Sequence, residues 1–407
     1  MEVLLRNRTF RLLWFGTLSV RLGSQIAVLA ITWLVLRSTG SGTKIGIVLS
    51  LYAVGDMLAS PFVGVLLDRV SRKLLLNLDN LLQAGIFGIL TLLYASHHLA
   101  FSVLLGLVVL SGALTPVAYL GRMIILPNVV HEDEWEAANT LLQANMNLVT
   151  LLGPALGGVL VSILGVSDTL LITAGLYLVY FAALAFIPRS RFQAQESHRS
   201  TNTVLSDVLL GWKFLRQVPL LAVLVVVTLL FSLTYGPLEP ALPVMVHTIF
   251  HRGAKSLGLL WSAFAVGALG GTLLWGHLRL TWGLRGLVAG IIVLWGVFSG
   301  GLGLTHGVLS AAILLALGGF AYAPYTIVFS LWRQRLVPDH LRGRVFGAIN
   351  SITGVGLPLG QAAGGLLIGA VGVRGTLLIG GLACILLGVG AFARRAVWET
   401  PAQDVAS

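Results

Sequence analysis

The stretch from Gly64 to Lys73 reads Gly-Val-Leu-Leu-Asp-Arg-Val-Ser-Arg-Lys. Long apolar runs flank it, 45–67 before it and 74–94 after it, with a single charged residue in each run. Apolar segments of this length span a lipid bilayer, so the charged stretch between them is predicted to form a tight loop at the membrane surface. Its arginines and lysine favour the cytoplasmic side, where positive charge accumulates in membrane proteins.

The composition indicates that the solvent of this chain is lipid. Its residues are 57% hydrophobic and only 10% charged, with a mean hydropathy of +0.92, whereas soluble proteins carry about 25% charged residues. The 49 glycines suit close helix packing in membranes. The net charge of +11 does not predict nucleic-acid binding, because the cations are spread over short loops. The lipid bilayer is the expected partner of these cations.

The hydrophobic runs predict an all-α integral membrane protein of twelve transmembrane helices, each needing about 20 apolar residues. The most polar connection divides the helices six and six, and its later part, 204–215, has the apolar spacing of an amphipathic helix on the membrane surface. The predicted domains are an N-terminal six-helix bundle over 1–188, a cytoplasmic linker over 189–218 and a C-terminal six-helix bundle over 219–407. The predicted spans are 12–36, 44–67, 74–95, 99–121, 138–165, 168–188, 219–243, 257–279, 284–304, 308–332, 343–370 and 373–393.

The distribution of lysine and arginine predicts a plasma (inner) membrane protein with both termini in the cytoplasm. In that orientation the inner loops and the two ends hold most of the cations, and an even number of spans agrees with it. The outer loops hold only Arg37, Lys44, Arg252, Lys255 and Arg374. No cleavable signal peptide is expected, because the first apolar run has the length of a span.

The two halves repeat each other. Leu152 to Val166 reads LGPALGGVLVSILGV, and Leu359 to Val373 reads LGQAAGGLLIGAVGV, with the glycines at one fixed offset. A second pair, Ala-Val-Gly at 53–55 and again at 265–267, is followed in each case by a glycine nine residues later. Two parallel six-helix repeats are a known transporter architecture, with the substrate site between the repeats near the bilayer midplane.

Charged residues inside spans are costly, which makes them functional candidates. Arg21 lies about nine residues into the first span, and Asp56 lies twelve residues before Asp68, about 18 Å from the inner face at 1.5 Å per residue. One hypothesis is an Arg21–Asp56 pair that lines a cavity, with Asp56 exchanging a proton when the two separate. The alternative is a static structural ion pair.

Other polar positions are candidates for a cavity or a gate. Glu239 stands among three prolines near the outer end of the seventh span, where a broken helix suggests a gate, although an acid exposed at the interface fits equally well. Asp79 begins the third span and is expected to be structural, either solvated or paired with Arg72. Further candidates, which could instead bridge or pack helices, are Gln25, Asn145, Gln361 and Tyr235.

The sequence gives no support to an enzyme. No catalytic residues, metal site or cofactor is predicted, because the acidic run His131–Glu136 lacks the spacing of metal ligands on one face and no Walker A string occurs. An ATP-driven mechanism within this chain therefore has no support.

Two motifs resemble those of the major facilitator superfamily. The opening loop resembles its Gly-x-x-x-Asp-Arg-x-Gly-Arg-Arg/Lys signature between the second and third helices, with Ser71 in place of the second glycine. The fifth span resembles a Gly-Pro-x-x-Gly-Gly element found mainly in exporters, although Val149 replaces the usual upstream glycine and a simple packing face with a proline kink also explains it. The matching residues are Gly64, Asp68, Arg69, Arg72 and Lys73 in the loop, and Gly153, Pro154, Gly157 and Gly158 in the fifth span.

The resemblance extends to the bacterial efflux branch that contains macrolide and siderophore exporters, through Phe10–Trp14 and Val337–Val345. It implies a monomeric secondary transporter that exports its substrate by proton antiport and alternating access, with a proton gradient as the energy source and the loop residues latching the inner side. The few charges within the spans favour a small molecule that is hydrophobic or weakly cationic, drug-like or siderophore-like. The alternatives are a facilitator or nutrient importer of the same fold, and a non-transporting membrane scaffold or sensor. An enzyme with an intramembrane site is also weakly supported, for want of a nucleophile and base.

Overall fold

The computed structural model describes residues 2–192, 212–277, 283–338, 341–393 and 398 of the protein. Regular secondary structure within these ranges is helical, as the apolar runs predict. Lipid favours this outcome, because a helix satisfies its backbone hydrogen bonds internally. The α-helices are α1 (Glu2–Arg6), α2 (Arg8–Thr39), α3 (Gly42–Arg69), α4 (Arg72–Ala95), α5 (Phe101–Val129), α6 (Trp135–Ala185), α7 (Pro219–Tyr235), α8 (Leu238–Thr248), α9 (Ala254–His277), α10 (Leu284–Gly301), α11 (Val308–Leu336), α12 (Arg342–Gly354) and α13 (Gly356–Ala393).

The described residues contain 10 helical segments that are long and apolar enough to cross a membrane. Two of these segments, Glu132–Ala185 with 54 residues and Arg344–Ala393 with 50, are long enough for two crossings each. Each has a non-helical residue at a boundary between predicted spans, Gly165 in α6 and Gly372 in α13. The architecture is therefore compatible with the predicted twelve spans, and the prediction of an all-α membrane protein is confirmed.

The two breaks occupy equivalent positions of the internal repeat. Gly165 has φ 85° and ψ 175°, and Gly372 has φ 73° and ψ 171°. These backbone angles are accessible almost only to glycine. Both glycines belong to the repeated strings quoted above, so the duplicated sequence produces the same helix break in each half.

Two other local predictions are confirmed. The charged loop is tight, because α3 ends at Arg69 and α4 begins at Arg72. The seventh span is broken, because α7 ends at Tyr235 and α8 begins at Leu238, within the run of prolines. The predicted amphipathic helix over 204–215 falls largely outside the described residues, of which 212–217 are helical.

The chain divides into two compact units, each of which includes a short segment from the sequence of the other half. The first unit comprises Met1–Ser38, Leu51–Arg199 and Arg252–Ser262, and the second comprises Thr39–Ser50, Ser200–His251 and Ala263–Ser407. In the first unit α4 packs against α5 and α6, and in the second unit α13 packs against α7, α8 and α10.

The charged loop is joined to the end of α6. The Lys73 ammonium donates hydrogen bonds to the carbonyl oxygens of Ala185, at 3.0 Å, and Ile187, at 2.6 Å. It also lies 5.6 Å from the centre of the Phe192 ring. A lysine at the C-terminus of a helix can donate hydrogen bonds to carbonyls that have no partner within the helix, and its positive charge interacts favourably with the helix dipole. Lys73 therefore fixes the start of α4 to the end of α6.

The break at Gly165 gives a test of the fold. The change Gly165→Ala should destabilise the protein by roughly 1–3 kcal/mol, because alanine is strained at these backbone angles. Thermal unfolding in detergent, followed by fluorescence-detected size exclusion, should show a lower midpoint. Gly175→Ala is the matched control, because Gly175 lies in the same helix with open space around it and no positive φ. Equal midpoints for the two variants would contradict this explanation of the break.

Candidate functional site

A cavity of about 400 Å³ lies inside the first unit, bordered by α2, α3, α4, α5 and α6. We call it the acidic cavity, because its ionisable lining residues are Arg21 from α2, Asp56 from α3 and Asp79 from α4. The predicted partners Arg21 and Asp56 thus line the same cavity. A volume of this size lies within the usual range of small-molecule pockets, about 300–1,000 Å³.

Asp79 is buried, which excludes one of the two environments that the sequence left open for it. Its side chain is only 2% exposed, so the expectation of a solvated residue is wrong. Asp79 lies about two helical turns into α4, roughly 10 Å from Arg72 along the axis. Its face of α4 is buried, as are its neighbours Asn80 and Gln83, which are 0% and 2% exposed. The third span therefore carries a buried acid into the acidic cavity.

The walls of the acidic cavity are held by polar contacts. The hydroxyl groups of Tyr52 and Thr115 are 2.9 Å apart. Gln83 and Ser111 are joined twice: the Gln83 amide donates to the Ser111 carbonyl at 2.9 Å, and the Ser111 hydroxyl donates to Gln83 Oε1 at 2.7 Å. These bonds connect α3 to α5 and α4 to α5, and each is short enough to fix the side chains it joins.

Aromatic rings complete the lining. Tyr177 and Tyr180 of α6 are 5% and 1% exposed, and Tyr177 stacks on Phe87 with ring centres 5.5 Å apart. Tyr119 lines the acidic cavity and also a neighbouring space of about 480 Å³, bordered by the end of α5 and the start of α6. Because the two spaces share Tyr119, they lie next to each other along α5.

The glycines of the fifth span make close helix contacts within the first unit. A Cβ atom on Gly157 would lie 3.3 Å from the Ile26 backbone, and one on Gly158 would lie 2.6 Å from the Ala254 carbonyl oxygen. Gly153 contacts Gln25, which places that predicted cavity residue against α6. The helix continues through Pro154, and its non-helical residue is Gly165. The packing role of this element is therefore visible in the contacts.

The equivalent glycines of the second half repeat this arrangement within the second unit. A Cβ atom on Gly365 would lie 3.0 Å from Gly46, and one on Gly364 would collide with Pro237. The Thr43 hydroxyl donates to the Gly365 carbonyl at 2.8 Å. The duplicated sequence therefore encodes duplicated helix contacts.

The second unit holds a different set of functional candidates. Gln361 is 4% exposed, and its amide donates to Glu239 Oε2 at 2.6 Å. The alternative of a water-exposed acid at 239 does not fit this partly buried hydrogen bond. Nearby, Tyr235 stacks on Trp295 at 5.3 Å, within a cluster formed by Phe231, Tyr235, Phe264, Trp295, Tyr322 and Tyr325.

Comparison with known proteins agrees with this architecture. A family model described as a transmembrane secretion effector matches residues 3–407. The chain belongs to this family of the major facilitator superfamily. It is a multi-pass membrane transporter that acts on small molecules, and it is not an enzyme.

The relatives and the solved structures span nearly the whole transporter. It is 27% identical over 383 residues to the multidrug efflux pump Tap of Mycolicibacterium fortuitum, with 93% of each chain covered. It is 26% identical over 377 residues to the transporter YfiS of Bacillus subtilis, with 90% of this chain and 88% of YfiS covered. The crystal structure of the nucleoside transporter NupG superposes with a TM-score of 0.75 at 14% identity, over 97% of this chain and 100% of that one.

Some predicted site residues of the transporter lie away from the acidic cavity. Asn145 is fully buried, and its amide donates to the Trp14 carbonyl at 3.0 Å, so it bridges α2 and α6. Arg69 is exposed and Arg72 is half-buried, while a Cβ atom on Gly64 would meet no described atom within 4 Å. The Asp68 side chain falls outside the described residues. The described residues contain no group of three or more His, Cys, Asp or Glu that could hold a metal ion.

The hydrogen bond in the second unit gives a stability test for the transporter. Gln361→Leu alone should destabilise it by about 1–3 kcal/mol, because Glu239 Oε2 is then left without its donor. Glu239→Met combined with Gln361→Leu should cost less than the sum of the two single changes, because both polar groups are removed together. Thermal midpoints of the four proteins in detergent measure the coupling. Strictly additive midpoints would show that the bond contributes nothing.

Proposed function

We propose that this transporter exports a small, hydrophobic molecule, drug-like or siderophore-like, in exchange for protons. The observation that carries the proposal is the position of Arg21 and Asp56 on the wall of one cavity among membrane-spanning helices. The relatives named multidrug efflux pumps, which align over more than nine-tenths of the chain, support export.

The chemistry of the acidic cavity supports proton coupling. A carboxylate near a guanidinium is stabilised in its ionised form, and a carboxyl group moved into apolar surroundings is stabilised in its neutral form. A change in the distance between Arg21 and Asp56 would therefore bind or release a proton at Asp56. Alternating access supplies a second cause, because opening the cavity to one side of the membrane hydrates Asp56 and stabilises its ionised form.

The two sequence motifs are assigned conformational roles in this proposal. Gly64, Asp68, Arg69 and Arg72 act as the latch of the inner side. Gly153, Pro154, Gly157 and Gly158 act as an exporter element, and the close contacts of Gly157 and Gly158 support a role in helix packing. Glu239, Gln361 and Tyr235 act as cavity or gate residues of the second half.

The proposed setting is the plasma (inner) membrane, with a monomer whose two termini are cytoplasmic. The excess of lysine and arginine in the connections assigned to the inner side supports this orientation. The contact of Lys73 with Phe192 and the end of α6 supports a common inner location for the charged loop and the start of the linker.

Efflux from loaded cells tests the function. Cells that lack their own exporters are loaded with each compound of a fluorescent substrate panel, and export is followed with and without a protonophore. The proposal requires export of at least one compound that stops when the protonophore is added. Export that survives the protonophore would favour a facilitator or another coupling ion, and greater accumulation in expressing cells would favour an importer.

Asp56→Asn separates coupling from folding. The variant should reach the membrane in normal amount, but its protonophore-sensitive export should fall to the level of cells that lack the transporter, because asparagine cannot carry the proton. Asp168→Asn is the matched control, since Asp168 is an exposed acid of the same unit. Export by Asp56→Asn at the rate of Asp168→Asn would leave Asp56 with a structural role only.

A further inference from the structure

A second space in the first unit has no role in the function argued so far. It is the space of about 480 Å³ that lies beside the acidic cavity, between the end of α5 and the start of α6. We call it the amide pocket, because the side-chain amides of Asn139 and Gln143 line it. Its volume lies within the range of small-molecule sites, about 300–1,000 Å³.

The amide pocket is uncharged, unlike the acidic cavity. None of the described residues that line it is an acid, a lysine, an arginine or a histidine. Glu134 and Glu136 flank Trp135 in the sequence, but they are not among the lining residues. An ion that entered the pocket would lose part of its hydration without gaining a counter-ion, which is costly. The pocket therefore favours an uncharged ligand.

The walls of the amide pocket favour a ligand with an aromatic body. Tyr119 and Trp135 line the pocket and are 49% and 37% exposed, so both present ring surface to a ligand. Aromatic rings pack well against other rings, in stacked or edge-to-face arrangements. Met146 adds a flexible apolar side chain, which adapts to the shape of what it contacts.

The two amides present a pair of hydrogen-bond acceptors. The Asn139 amide nitrogen donates to the Trp135 carbonyl at 2.9 Å, one turn earlier in α6, and the Gln143 nitrogen donates to Asn147 Oδ1 at 3.3 Å, one turn later. Asn139 Oδ1 and Gln143 Oε1 accept no hydrogen bond from any described residue. Residues four apart lie on one face of a helix, with Cβ atoms about 5–6 Å apart. One wall of the pocket therefore offers two neighbouring acceptors.

Acceptors beside aromatic surface select a ligand that serves both. The acyl chains of lipids would cover the aromatic walls, but they carry no hydrogen-bond donor. Water would satisfy the amide oxygens, but it leaves the apolar walls exposed, and covering such surface is favourable. A molecule with an aromatic body and two donors on one edge satisfies the amides and covers the rings together.

We propose that the amide pocket is a second binding site of the transporter, which takes uncharged aromatic molecules with two hydroxyl or N–H groups. The two donors bond to Asn139 Oδ1 and Gln143 Oε1, and the aromatic body packs against Tyr119 and Trp135. This inference rests on the proposed export function and names a substrate class for it. The site does not use Arg21 or the acids of the acidic cavity.

Binding to the purified full-length protein in detergent tests the site. The probes are olivetol, an aromatic ring with two hydroxyl groups and a pentyl chain, and olivetol dimethyl ether, which lacks both donors. Both are uncharged at about pH 7, because a phenolic hydroxyl ionises near pH 10. Equilibrium dialysis against protein-free detergent measures each affinity. Wild type should bind olivetol at least about fivefold more tightly than the ether, because each hydrogen bond contributes about two- to tenfold.

The variants isolate the two acceptors. Asn139→Leu and Gln143→Met each remove one acceptor, and each should weaken olivetol binding by about two- to tenfold without changing binding of the ether. The double variant should bind the two probes equally, whereas Asn139→Asp keeps an acceptor and should retain olivetol binding. Gln334→Met is the matched control, because Gln334 is an exposed amide of the second unit, and it should behave as wild type. If the double variant does not fold, the single variants and the two probes on wild type decide the question.

The outcomes separate this site from the export function. Absence of olivetol binding by wild type, equal binding of the two probes by wild type, or wild-type binding of olivetol by the double variant would each overturn the site. Protonophore-sensitive export of any compound together with one of these results would leave the exporter in place without the site. Olivetol binding that depends on Asn139 and Gln143, without export of olivetol or of any other compound, would leave the site in place and reject the exporter.

Discussion

The charge balance inside the first unit is the constraint on which the functional account depends. Arg21, Asp56 and Asp79 line one cavity among helices whose outer surfaces face lipid. Ionised groups in such surroundings need partners of opposite sign, and a surplus acid takes up a proton. A transporter that exchanges protons for substrate needs such an acid, because the group must gain and lose a proton during the cycle.

The two units share duplicated helix packing but differ in the polar residues that they hold. Gly165 and Gly372 break equivalent helices with nearly the same backbone angles, and Gly158 and Gly365 make equivalent close contacts. The polar chemistry has diverged. The first unit holds the acidic cavity, whereas the second holds an aromatic cluster beside the Glu239–Gln361 hydrogen bond. The packing is thus repeated, whereas the polar and aromatic side chains differ between the two halves.

Much of the fold could be predicted from the sequence, because lipid imposes length and hydrophobicity on each helix. The breaks at Gly165 and Gly372 fell where the predicted spans ended. The rotation of a helix about its axis was harder to predict. Its position along α4 left Asp79 either solvated or paired with Arg72, but the direction of its side chain depends on the packing of α4 against α5 and α6. The available signal was its status as the single charged residue of its apolar run.

Proton movement coupled to substrate movement is the most direct test of the account. Purified protein is reconstituted into liposomes that contain a pH-sensitive dye, and a compound found in the efflux assay is added without an imposed gradient. The account predicts that substrate entry moves protons out of the liposomes, and that empty liposomes show no change. Substrate entry that leaves the internal pH unchanged would contradict proton exchange through the acidic cavity.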